Sequence, residues 1–285
     1  MPGAYQPYDG TPVPGVPDAV HQQTVVIPPN DLNRVEDALK NDPQIGCVIL
    51  EPTGGHWGLV PVRGAFLKGL RELTTKYDRV LIFDEVITGF RVSPGGAQAH
   101  YGVTPDMTTL AKVLAGGLPG GCVAGRADIL AAIERRPGKP KMNHPGTFNG
   151  NPLSAAAGIT ALKRAATGQP CDRANRLAAL LRRRLNGAFA DRDLPLCAYG
   201  DFSLVHLVFD YNGPRPTADD FIPYDSSVDS LDGAKDVKKL HAFRQAMLLN
   251  GVDLPGKGMF LTCEHTEADV EKTVAAVVRA VEMTA

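Results

Sequence analysis

The sequence predicts an α/β protein with a mainly parallel sheet, followed by a smaller α+β unit at its C-terminal end. Three observations carry this. Short continuous apolar runs, Cys47-Val48-Ile49-Leu50 and Val80-Leu81-Ile82-Phe83, flank a stretch in which Phe66, Leu70, Leu73 and Tyr77 recur at helical spacing. Strand, helix, strand over this length is a parallel crossover. The runs are apolar throughout rather than alternating, which is the pattern of a sheet covered on both faces. After Gly168-Gln169-Pro170 the texture changes to one long helical pattern followed by short strands.

Taken in order, residues 1–30 hold seven prolines and three glycines, and little regular structure is expected before Thr24. Residues 1–23 therefore read as an arm, 24–168 as a partial large domain and 169–285 as a small domain. Thr24 to Ile27 reads as a strand. A helix over Asp31 to Lys40 follows, with Leu32, Val35 and Leu39 on one face and Asn30 or Asp31 as its cap. Beyond the two apolar runs, strands are expected around Thr108 to Leu110 and Gly121 to Ala124, and helices over Ala127 to Arg135 and Pro152 to Ala166. The small domain begins with a helix over Asp172 to Phe189. Strands at Leu196 to Tyr199 and Leu204 to Phe209 come next, then a polar stretch at Tyr211 to Asp232. It closes with a helix over Ala234 to Leu249, stopped by Asn250-Gly251, a strand at Met259 to Thr262, and a last helix capped by Thr266 with Val270, Val274, Val277 and Val281 inward.

Composition narrows the function. Apolar residues make up 44% and charged residues 21%, a globular balance, and the net charge of -1 gives no basic surplus for nucleic acid or an anionic membrane. No apolar run is long enough to span a membrane and Met1-Pro2-Gly3-Ala4 is no signal peptide, so a soluble, cytoplasmic chain is expected. The cysteines Cys47, Cys122, Cys171, Cys197 and Cys263 form no C-x-x-C pair. They read as reduced, mostly buried thiols, with neither disulfides nor a metal site.

Several motifs fail. Gly251 to Gly258 reads G-x-x-x-x-G-K but lacks the Ser or Thr of a phosphate-binding loop and runs into an apolar strand. No G-x-G-x-x-G follows a strand, and neither G-x-S-x-G nor H-E-x-x-H occurs. Arg182-Arg183-Arg184 reads as a solvated helix face.

One pair of residues does carry chemistry. Asp84 stands at the carboxyl end of the second apolar run, where open α/β sheets place their ligands. Lys112 follows 28 residues later at another strand end, ahead of the glycine turn Gly116-Gly117-Leu118-Pro119-Gly120. A buried carboxylate and a buried lysine beside such glycines suit pyridoxal 5'-phosphate. Its aldehyde needs an amine for a Schiff base, and its pyridine nitrogen needs an anion to stay protonated and draw electrons.

The surrounding words are more specific. Leu50-Glu51-Pro52, Gly64 to Leu73, Leu81-Ile82-Phe83-Asp84-Glu85-Val86-Ile87-Thr88-Gly89-Phe90-Arg91, Tyr101 to Asp106, and Gly146-Thr147-Phe148-Asn149-Gly150-Asn151-Pro152 closely resemble class III aminotransferases. Within that family they are nearest to the glutamate-1-semialdehyde aminomutase branch, and the resemblance runs from about Thr24 to the C-terminus. It implies the type I fold of pyridoxal-phosphate enzymes. It also implies a homodimer with sites at the subunit interface, acting on a small-molecule amino donor and a carbonyl acceptor. By the same resemblance Lys112 is the Schiff-base lysine and proton shuttle, and Asp84 the partner of the pyridinium nitrogen. Val86 packs on a ring face, Thr147 reaches the phosphate of the neighbouring subunit, and Glu51 stands beside the cofactor pocket. His56 falls where the semialdehyde branch carries an asparagine near the phenolic oxygen.

The family's chain begins well before anything matched here. Unmatched are the segment that helps bind substrate carboxylates, the loop that cups the phosphate and the aromatic that stacks on the ring. The expectation is thus an aminotransferase or aminomutase whose site is completed by a separate chain that supplies that N-terminal part or by an unusual oligomer. The alternatives are a non-catalytic interaction subunit and an inactive fragment. Tyr199 to Phe209 and the insert Asn212 to Asp232 are read as the substrate side.

Overall fold

The computed structural model describes residues 14–211, 213–216, 231, 237–256 and 258–284, less the side chains of residues 56 and 57. The expectations for residues 1–13, for most of the polar stretch at Tyr211 to Asp232 and for the first residues of the helix from Ala234 lie outside them.

The first sheet holds four strands in the order β1 (Cys47–Leu50), β2 (Val80–Asp84), β3 (Met107–Leu110) and β4 (Cys122–Gly125). The first three run parallel and β4 returns antiparallel to β3. One face packs on α2 (Leu32–Asn41) and α4 (Gly64–Lys76): Val48, Leu50, Leu81 and Phe83 join Val35, Leu39, Phe66, Leu67 and Leu70 in one apolar cluster. Burial of Leu81, Phe83, Leu67 and Leu70 contributes about 2 kcal/mol each. Asp31 caps α2 by accepting the Arg34 amide at 3.0 Å, while Asn30 is spent on Pro61 and Arg63.

Cover on both faces was the expectation; among the described residues only one face is well covered. The cross-strand row Ile49, Ile82, Met107 and the row Asp84, Thr109, Val123 lie on the other, with Ile49 59% and Val123 40% exposed. Cys47 and Cys122 share that openness, so the expectation of mostly buried thiols holds for Cys171 and Cys197 alone. Thr24 to Ile27 is not a strand: among the described residues no neighbouring strand offers it a ladder, and Pro28 and Pro29 bring no donors. Ahead of it the arm contains one helical turn, α1 (Asp18–His21).

Asp106 fixes the start of β3. Its carboxylate accepts the Leu81 amide (2.8 Å) and the guanidinium groups of Arg71 (2.9 Å) and Arg126 (3.1 Å). Burial pushes its pKa up, but these donors outweigh burial and hold it below the ordinary carboxylate value. The helix expected over Ala127 to Arg135 is shorter, an α6 turn (Ala127–Leu130) continued by three residues of 3₁₀-helix. Asn151 caps α7 (Pro152–Ala165) through the Ser154 amide.

The second unit is α+β. α8 (Gln169–Asp191) starts three residues earlier than expected, because Gly168 takes the left-handed cap position and Pro170 is tolerated in the first turn. β5 (Leu196–Tyr199), β6 (Leu204–Phe209) and β7 (Gly258–Phe260) form an antiparallel sheet in that order. Its core is shared with α8, α9 (Val237–Leu249) and α10 (Glu267–Thr284). The strand expected at Met259 to Thr262 ends at Phe260. α10 carries a reciprocal cap between Thr266 and Asp269. Tyr199 and the run Phe202 to Val208 are buried, so this segment is core rather than substrate side. The arginine run is not uniformly solvated either. Arg182 donates to the carbonyls of Phe202 and Leu204, and Arg184 pairs with Glu271.

The loop after β2, which runs into α5 (Gly96–Tyr101), is tied to the second unit. Arg91 donates to Ser203 Oγ (3.2 Å) and lies over the Phe260 ring, Cys171 donates to the Phe90 carbonyl, and Asn175 donates to the Val92 carbonyl. Tyr199 Oη donates to the Leu59 carbonyl at 2.6 Å.

Candidate active site

Because β1, β2 and β3 are parallel neighbours, their carboxyl ends bring three expected site residues to one edge of the sheet. Glu51 follows β1 directly, Asp84 is the last residue of β2, and Lys112 comes two residues after β3. This is the edge at which open α/β sheets bind ligands.

Asp84 is half-buried and its two oxygens differ. Oδ1 accepts the Val86 amide (3.0 Å) and the Thr109 hydroxyl (3.1 Å). Oδ2 accepts no hydrogen bond from the described residues, leaving one carboxylate oxygen available to a cationic N–H. Val86 is half-buried beside it. Lys112 opens a 3₁₀ turn (Lys112–Ala115) with φ of 51°, in the left-handed region. A side chain there costs about 1 kcal/mol, so the surrounding structure imposes the conformation. The turn closes on Gly116, at φ of 62°, where a Cβ would stand 2.6 Å from the Ala157 carbonyl oxygen. Only glycine lets the turn lie this close on α7.

A buried carboxylate and a buried lysine were expected; Asp84 is half-buried and Lys112 exposed, and no ion pair joins them. The reason is the open sheet face described above, which nothing among the described residues closes. Thr147 stands in the wholly exposed segment 141–150, and no hydrogen bond links it to Asp84 or Lys112. Glu51 is half-buried, its carbonyl accepting the Gly54 amide. His56 belongs to the short helix α3 (Gly55–Gly58), and the expectation for its side chain lies outside the described residues.

Two residues of the site were missed. Thr109 is the cross-strand partner of Asp84, a relation that exists only once the β2–β3 register is known. Glu85 is fully buried, its carboxylate accepting from Thr88, Ala97 and Gln98. The available signal was strand alternation: if Asp84 faces the ligand edge, the next side chain must face the other way.

Residues 8–194 match a family model described as aminotransferase class-III. The chain is 38% identical over 269 residues to a glutamate-1-semialdehyde 2,1-aminomutase of Brevibacillus brevis, covering 92% of this chain and 59% of that protein. Among solved structures it is similar to an omega-transaminase from Sphaerobacter thermophilus, with a TM-score of 0.81 at 31% identity, over 95% of this chain and 60% of the other. It is also similar to a transaminase with PLP bound, with a TM-score of 0.78 at 27% identity, over the same shares. The chain thus spans about three fifths of the length of the relatives it matches.

Proposed function

This chain belongs to the class-III aminotransferase family, and from that premise we propose that it carries the lysine and the ring-binding carboxylate of a pyridoxal-phosphate site for amino-group transfer or migration on small molecules. Its fold is the corresponding part of the type I fold, a mainly parallel sheet with a C-terminal α+β unit. The observation that carries the reading is the asymmetry of Asp84: Oδ1 is filled by two protein donors and Oδ2 is left over, one strand away from Lys112.

The donor set fits the ring and aldehyde ends of the cofactor. Asp84 Oδ2 would accept the pyridinium N–H, and its negative charge would hold the proton there. Lys112 Nζ would bind the aldehyde carbon covalently and, when released, hold and move the proton at the substrate carbon. Val86 would pack on the ring, Glu51 and His56 would stand along its edge, and Thr147 would serve the phosphate of a neighbouring subunit. When bound, the cofactor supplies an electron sink for the substrate carbon. Lysine exposure sets a condition on this reading: water must be kept from Lys112 and from the open sheet face by further polypeptide, supplied by a second copy or by a part equivalent to the rest of the relatives' length. A non-catalytic subunit is the second reading, favoured by that same exposure.

The test is a titration of the chain with pyridoxal phosphate followed by visible absorbance, with Lys112→Ala as the blank. A cofactor band that requires Lys112 supports the reading; identical spectra for both chains would contradict it.

A further inference from the structure

The neighbour of Asp84 is the more deeply buried carboxylate. Glu85 is 0% exposed, and four donors converge on it: Thr88 Oγ1 at 3.0 Å, the Ala97 amide at 2.7 Å, the Gln98 amide at 3.2 Å and Gln98 Nε2 at 3.1 Å. The backbone of Glu85 is held as well, its amide donating to the Thr109 carbonyl (3.0 Å) and its carbonyl accepting from Gly89 (2.9 Å). Gly96, at φ of 71°, is required by this arrangement, since a Cβ there would come within 2.4 Å of Glu85 Oε2. A buried carboxylate with this many donors is rigid, and removing the charge leaves several donors competing for one acceptor.

That rigidity bears on Asp84. Asp84 Oδ1 reaches over Glu85 to the Val86 amide, and Thr109 serves both residues, its hydroxyl binding Asp84 and its carbonyl binding Glu85. We propose that Glu85 is a positioning residue, locking the turn at the end of β2 so that Asp84 presents Oδ2 toward the ligand edge. The proposal rests on the reading of Asp84 as the ring partner.

The experiment is a double-mutant cycle on the full 285-residue chain with Glu85→Gln, Asp84→Asn and their combination. Thr88→Val, which removes one donor and keeps the charge, is the second variant should Glu85→Gln not fold. Two quantities are read. In the cofactor-free chain, amide hydrogen exchange at Val86 should speed up about tenfold or more in Glu85→Gln while the β1–β2 ladder stays protected. With saturating pyridoxal phosphate, the visible circular dichroism per bound cofactor should fall in Glu85→Gln, and by less in Thr88→Val. Glu85→Gln should change it little further once Asp84 is Asn. Unchanged Val86 exchange, unchanged ellipticity or strict additivity with Asp84→Asn would overturn the proposal. An Asp84→Asn chain with native ellipticity would instead overturn the ring-partner reading, and the proposal with it.

Discussion

The Thr109 hydroxyl donates to Asp84 Oδ1 at 3.1 Å from the position directly opposite it in the parallel β2–β3 register. With the Val86 amide on the same oxygen, this fixes which carboxylate oxygen remains for a ligand. Hydrogen bonds to charged groups are worth roughly 1.5–3 kcal/mol. Thr109→Val keeps the β-branched shape and removes the donor. We expect pyridoxal phosphate affinity to fall about tenfold, equal to about 1.4 kcal/mol, with the fold unchanged. Equal affinities in an absorbance titration would show that Thr109 does not orient Asp84.

Asp84→Asn keeps the side-chain shape and removes the charge that would hold the pyridinium proton. In a preparation active with an amine donor, the first half-reaction should slow by several powers of ten, each about 1.36 kcal/mol of barrier. Rapid-mixing absorbance measures it. A rate within a factor of two of the parent would mean that another anion serves the ring.

Asp106 gives a stability prediction independent of cofactor. Its folded pKa is depressed below the ordinary 3.8, so its contribution is complete above that value and is lost as pH falls through the lower folded one. Asp106→Asn should cost about 2 kcal/mol near pH 7, and the gap to the parent should narrow below about pH 4. Urea unfolding at the two pH values measures both numbers. A gap that widens on acidification would contradict the assignment.

The uncovered sheet face leaves Ile49 in solvent, the segment around Thr147 leaves Met142 and Phe148, and α7 leaves Leu153 and Ile159, each more than half exposed. Large apolar side chains this exposed are expected to be covered by association. Light scattering at micromolar concentration should give a mass above the 30.4 kDa of one chain. A monodisperse monomer would contradict this and strengthen the non-catalytic reading.

Much of this fold was legible because it is locally determined. The apolar runs at Cys47–Leu50 and Val80–Phe83 became β1 and β2, and Asp31 and Thr266 cap the helices whose patterns they precede. What could not be read depends on partners distant in sequence. Thr24 to Ile27 has strand composition but, among the described residues, no neighbour to pair with. The exposure of Lys112 follows from what covers the sheet, which its own residue type does not encode. Thr109 and Glu85 gain their roles from register and from alternation at a strand end, although Glu85 sits in the same motif that identified Asp84.

Covalent binding of pyridoxal phosphate by Lys112 is read out by borohydride reduction of the chain with the cofactor, followed by peptide mapping of the stable adduct. The label is expected on Lys112 and is expected to be lost in Lys112→Ala. A label spread over other lysines, or retained undiminished in Lys112→Ala, would contradict it.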